Sequence, residues 1–75
     1  MTRMSEYKEA LIIAAEKAAY INSPVDPNPD EMRFLVKTHL HGEKAYEEYY
    51  RDRNGRFWRY VSSGIGHGEW QYEEV

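Results

Sequence analysis

All three prolines of this 75-residue chain, Pro24, Pro27 and Pro29, fall in one short stretch. Proline fixes its own φ, donates no backbone hydrogen bond and pushes the preceding residue out of the helical region. Neither a helix nor a central strand passes through Ser23–Asp30, so the segment reads as a stiff, extended connector crossing one end of a domain. A polyproline recognition segment is its functional counterpart. Everything else is split into a stretch before the connector and one after it. Area scaling buries roughly 63% of the extended chain's surface at this length, enough for one small core.

Before the connector, residues 6–21 hold no Gly or Pro and are rich in Ala, Glu, Lys, Leu and Ile, which predicts a helix over about 5–22. Ser5 stands as its N-cap, and Glu6 and Glu9 put negative charge where the macrodipole favours it. At about 100° per residue, Met4, Tyr7, Leu11, Ala14, Ala15, Ala18 and Ile21 share one stripe, small enough in places to lie close on a sheet. Ile13 and Tyr20 fall on the opposite side. They are candidate contacts with a second copy of the chain, a homodimer being one way a small domain gains burial.

After the connector two signals compete. Asn28-Pro29-Asp30-Glu31 is a helix start, with an N-cap, Pro at the first position and Glu at the capping-box position. The residues that follow alternate: Met32, Phe34, Val36, Thr38 and Leu40 against Arg33, Leu35, Lys37, His39 and His41. That two-residue period predicts a strand over 31–41. Further strands are expected around Lys44–Arg51 and Phe57–Val61, with a short last one at Trp70 and Tyr72. Gly42-Glu43 and Asp52-Arg53-Asn54-Gly55 make the turns, the latter a type I turn followed by a left-handed Gly. The expected fold is α+β: one N-terminal helix packed on a three- to four-stranded antiparallel meander, a two-layer single domain over 1–75.

Register assigns the faces. Two-residue and three-residue loops pair Val36 with Tyr49, Lys37 with Glu48, Leu35 with Tyr50, Tyr50 with Trp58 and Glu48 with Tyr60. A two-residue Asn54-Gly55 turn would instead slip the register by one and swap Trp58 and Tyr60 with Phe57 and Val61. Phe34, Val36, Leu40, Ala45, Tyr49, Phe57 and Val61 then face the helix. Leu35, Lys37, His39, Tyr46, Tyr50, Arg56, Trp58 and Tyr60 face away, and no remaining segment is expected to cover them. An uncovered face of tyrosine, tryptophan and cations has the composition of a binding surface. Its candidate contacts are Lys37, Tyr46, Tyr50, Arg56, Trp58 and Tyr60.

Charge gives a second reading. Residues 49–61 carry Arg51, Arg53, Arg56 and Arg59 against Asp52 alone, a basic hairpin in a chain whose net charge is −3. Arginines beside stacking aromatics suit single-stranded nucleic acid, but the acidic body opposes any polyanion. A protein partner is the leading reading and single-stranded nucleic acid the alternative.

Other chemistry has less support. There is no cysteine, which excludes a disulfide scaffold, a thiolate zinc site and a cysteine nucleophile. His39-x-His41, with His67, is a spacing metal sites use but lacks a fourth ligand, so no metal or other cofactor is expected. Gly64-Ile65-Gly66-His67-Gly68 lacks the Lys-Ser/Thr ending of a phosphate loop. A small nuclease would draw on His39 or His41, Arg51 or Arg59, and Tyr60, yet nothing gathers them around one point, so the expectation is a non-catalytic protein. Charges occupy the place of a signal peptide's apolar stretch. The longest apolar run, Ala10–Ala15, is far below the roughly 20 residues of a membrane span. A cytoplasmic protein without membrane contact is the expectation.

Overall fold

The structure, a computed structural model, describes residues 4–39, 44–64 and 66–74, with side chains from Tyr7 onward. The expected Gly42-Glu43 turn, Leu40, His41, Ile65 and the side chains of Met4, Ser5 and Glu6 lie outside the described residues. A helix, α1 (Met4–Lys17), is followed by β1 (Tyr20–Asn22), a single 3-10 turn at Pro29–Glu31, β2 (Arg33–His39), β3 (Tyr46–Arg51), β4 (Phe57–Ser62) and β5 (Gly68–Glu73). The strands form one antiparallel sheet in the order β1-β5-β4-β3-β2. With the helix on one face, the fold is a two-layer α+β sandwich with one strand more than expected.

That extra strand comes from the expected helix, which ends at Lys17 rather than near 22. Tyr20, Ile21 and Asn22 pair instead with Glu73, Tyr72 and Gln71 of β5. Aromatic and β-branched side chains favour this, and β5 gains a partner for an otherwise open edge. The Tyr20 hydroxyl donates to the Ala15 carbonyl at 2.6 Å, one of the last-turn carbonyls that has no partner inside the helix. Tyr20 therefore does not share an outer helix side with Ile13. Its ring is half-buried, edge-on to Tyr49 at 6.1 Å and under the Arg59 guanidinium at 4.5 Å. Ile13 remains exposed.

Both signals after the connector are realised, one after the other. The Asn28 side chain caps the 3-10 turn by accepting from the Asp30 amide at 3.0 Å. The turn ends at Glu31, and the alternating run then forms β2. Asp52–Gly55 folds as its sequence dictates: Gly55 has φ 82° and its amide donates to the Asp52 carbonyl at 3.1 Å. The resulting register pairs Tyr50 with Trp58, Glu48 with Tyr60 and Arg51 with Phe57.

One detail departs from expectation and decides the composition of both faces. Lys37 pairs with Glu48 and Val36 with Tyr49, but Tyr50 pairs with Phe34, not Leu35. A β-bulge between Phe34 and Val36 sets Leu35 and Val36 together opposite Tyr49. Leu35 thereby turns to the helix side and is 2% exposed, whereas Phe34 turns to the other side and is 46% exposed. The buried apolar residues are Leu11, Ala15, Leu35, Tyr49 and Phe57, with Ile12, Ala18, Tyr20 and Val36 packed around them. Tyr7 and Ala14 of the expected stripe are exposed, as is Ile21 on β1.

Removing buried side-chain atoms costs transfer and cavity energy, while an exposed aromatic forfeits at most an edge contact. Leu35→Ala is expected to destabilise by about 2–4 kcal/mol, and Phe34→Ala by no more than about 1 kcal/mol. Urea unfolding of the two variants checks this; a larger loss for Phe34→Ala would remove the bulge.

Candidate functional site

On the face away from α1, alternate residues of four strands place aromatic rings side by side. Phe34 meets Tyr50 at 5.5 Å, Tyr50 meets Trp70 at 5.4 Å, and Trp70 meets Tyr60 at 5.0 Å. Tyr60 continues to Tyr46 at 6.5 Å, and Tyr46 to His39 at 6.4 Å. From Trp70 a branch runs to Trp58 at 6.5 Å and on to Tyr72 at 5.4 Å. The register explains the pavement: Trp58 pairs with Tyr72 and Tyr60 with Trp70. Gly68 makes room for it, because a Cβ there would collide with the Tyr60 phenol.

Two cations sit on this pavement. Lys37 Nζ lies 4.1 Å over the Tyr46 ring and the Arg56 guanidinium 5.0 Å over Tyr72. All six expected contacts, Lys37, Tyr46, Tyr50, Arg56, Trp58 and Tyr60, are thus held in this one ring assembly. Phe34, Trp70 and Tyr72 join them. The sequence carried a signal for the last two, since Trp70-x-Tyr72 repeats the spacing of Trp58-x-Tyr60 and a short loop brings the two in register. For Phe34 there was none, because it depends on the bulge.

The basic hairpin is divided by the same alternation. Arg51 lies on the helix side over Phe57 at 5.1 Å. Arg59 lies there too, paired with Glu47 at 3.4 Å and donating from Nε to Gln71 at 2.7 Å. Gln71 in turn donates to Asn22 at 2.9 Å, so these arginines serve the sheet and tie β1 to it. Among the described residues, His39 and Tyr60 lie on the opposite face from Arg51 and Arg59. Among the described residues no group of His, Cys, Asp or Glu is arranged to hold a metal ion; His41 lies outside them.

The aromatic face is not wholly open, contrary to expectation. Pro27 and Asn28 of the connector, with Glu31 and Met32 just after it, line a cleft of about 280 Å³ together with Asp52, Arg53, Asn54 and Trp58. Burial, then the charges of Glu48, Tyr46 and Asp30, raise the Tyr50 phenol above its ordinary value. Burial likewise raises Tyr20 and Tyr49 on the helix side.

Asp52 fixes the floor of that cleft. Its Oδ2 accepts from the Trp58 indole at 2.9 Å, and its Oδ1 from the amides of Asn54 and Arg56, each at 2.9 Å. Burial alone raises the carboxyl. The hydrogen bonds from Trp58, Arg56 and Asn54, with the Arg56 charge, outweigh it and hold the group below the usual carboxylate range.

No known protein family matches the chain, and no curated protein or solved structure matches it. No helix among the described residues is long and apolar enough to cross a membrane.

A carboxyl whose folded pKa is depressed adds stability that is fully present above its unfolded value of about 3.9 and is lost as pH falls through the folded value. Asp52→Ala is expected to cost about 1–3 kcal/mol at neutral pH. Its deficit against wild type should narrow as pH drops below about 4. Urea midpoints followed by tryptophan fluorescence from pH 7 downward test this; a gap that stays constant with pH counts against the Asp52 assignment.

Proposed function

We propose that this chain is a small, non-catalytic binding module of the cytoplasm, an adaptor or inhibitor that grips another protein through its aromatic face. The observation that carries this is the unbroken ring assembly from His39 to Tyr72 on the side of the sheet that α1 does not cover. Tyrosine, tryptophan and arginine dominate protein hot spots because they bury much area at low conformational cost and keep a polar end for orientation. Tyr46, Tyr50, Trp58, Tyr60, Lys37 and Arg56 supply the contact, joined by Trp70.

The same geometry supports single-stranded nucleic acid less well. Phosphate recognition needs cations on the face where bases would stack. Arg51 and Arg59 are on the other one, while Glu48 stands between Tyr46 and Tyr50 on the aromatic side. A second copy of the chain is a further protein partner of the same chemistry, and sedimentation of the protein alone separates that case.

Parallel capture from cell extract on wild-type and Tyr46→Ala/Tyr60→Ala protein tests the proposal. At least one protein should be held by wild type, survive nuclease treatment and fall about tenfold or more on the double variant. Equal retention on both, or retention abolished by nuclease, would overturn it. The double variant's urea midpoint confirms that the sheet is intact.

A further inference from the structure

We infer that the aromatic face takes an extended, proline-rich segment of its partner, and that the chain's own Pro27 beside Trp58 occupies one end of the same surface. The inference rests on the protein-binding reading above and specifies its partner.

Three observations converge. The first is the seat of Pro27. Of the three connector prolines, Pro24 and Pro29 are exposed, while Pro27 is half-buried, in the cleft it shares with Trp58 and Asp52–Asn54. Pro27 and Trp58 thus line one cleft at this end of the face, and the pavement continues beyond it through Trp70 and Tyr60 to Tyr46.

The second is ring geometry. Neighbouring rings on this face are inclined to one another by 40–75°, so they make no common plane for a base or a sugar to lie on. Rings inclined in this way present separate aromatic faces, and a single aromatic face packs well against a compact, rigid pyrrolidine ring. A polyproline helix presents such rings in a preformed conformation, which lowers the ordering cost of binding.

The third is the hydrogen-bonding inventory. None of the hydrogen bonds among the described residues uses the hydroxyls of Tyr46, Tyr50 or Tyr60, or the indole N–H of Trp70. The face therefore offers donors. A polyproline segment lacks backbone N–H groups and carries only carbonyl acceptors, fully available because the helix has no internal hydrogen bonds. Donors and rings on one side meet acceptors and rings on the other.

The test is a ¹⁵N NMR titration with an oligoproline peptide, and with an oligoalanine-based peptide of equal length as control. The expected result is movement of the Trp70 indole and of β3–β5 amides with oligoproline alone, and an affinity about tenfold lower in Trp70→Phe, which keeps a ring but removes the donor. Tyr60→Phe serves as a second variant should Trp70→Phe perturb the fold, read from the Leu11 and Ala15 methyl signals. No face-specific shift with oligoproline, or equal shifts with the control, overturns the inference. Selection from a random-peptide library then separates its failure from that of the parent reading. Enriched sequences without proline that are lost on Trp70→Phe leave the protein-binding face standing with another partner; no enrichment dependent on Trp70 overturns both.

Discussion

The two faces of this sheet are assigned by a single irregularity, the bulge that sets Leu35 and Val36 together opposite Tyr49. A strict two-residue alternation along β2 would send Phe34 toward the helix and Leu35 away from it. The bulge reverses both. Leu35 then fills the centre of the core against Leu11, Ala15, Tyr49 and Phe57, and Phe34 is released to Tyr50 and the ring assembly on the far side. Bulges also sharpen local twist and spoil an edge strand as a template for further pairing. On β2, a sheet edge that also carries Lys37, the same feature that completes the core guards against edge-to-edge association.

Around that centre the core is economical. A helix of 14 residues covers one side of a five-stranded sheet, and Ala15, wholly buried, lets it approach closely. Much of the cohesion at the margins is polar. Tyr20 closes the helix end through Ala15, while the Glu47–Arg59–Gln71–Asn22 chain of contacts spans β3, β4, β5 and β1. Arginines that look like a nucleic-acid signal in the linear sequence are consumed here, because residues 51 and 59 share the parity of Tyr49 and Phe57 and so share their face.

How much of this was legible in the sequence follows from the range of the forces involved. The Asp52–Gly55 turn was legible, since its geometry depends on an Asx side chain and a left-handed glycine a few residues apart. Through it the sequence favoured the register that pairs Tyr50 with Trp58, while a two-residue Asn54-Gly55 turn, one residue out of step, stayed open. The strand at β2 was legible from its period, and the 3-10 turn before it from Asn28 and Pro29. What could not be read is set by distant partners. Tyr20–Asn22 carries helix-compatible periodicity until β5, some fifty residues later, offers it an edge. The bulge at Leu35 has no glycine or proline to mark it; it exists because the core rewards burying Leu35 more than it would Phe34. Trp70 and Tyr72 were visible as a strand whose spacing repeats that of Trp58 and Tyr60, but the register across the Ser62–Gly68 loop that puts them on the same face was not.

The connector shows how the fold and the proposed activity meet. Because β1 and β2 are the two edges of one sheet, the chain between them must cross the sheet's whole width, and α1 already occupies one face. The segment passes by the other, where its prolines demand no hydrogen-bonding partners and Pro27 lines a cleft with Trp58. Asp52 holds that indole in place by accepting from its Nε1–H. The cleft at Trp58 already takes part of one extended, proline-containing segment, and the rings beyond Trp58 continue the same face past the point where the connector turns into β2.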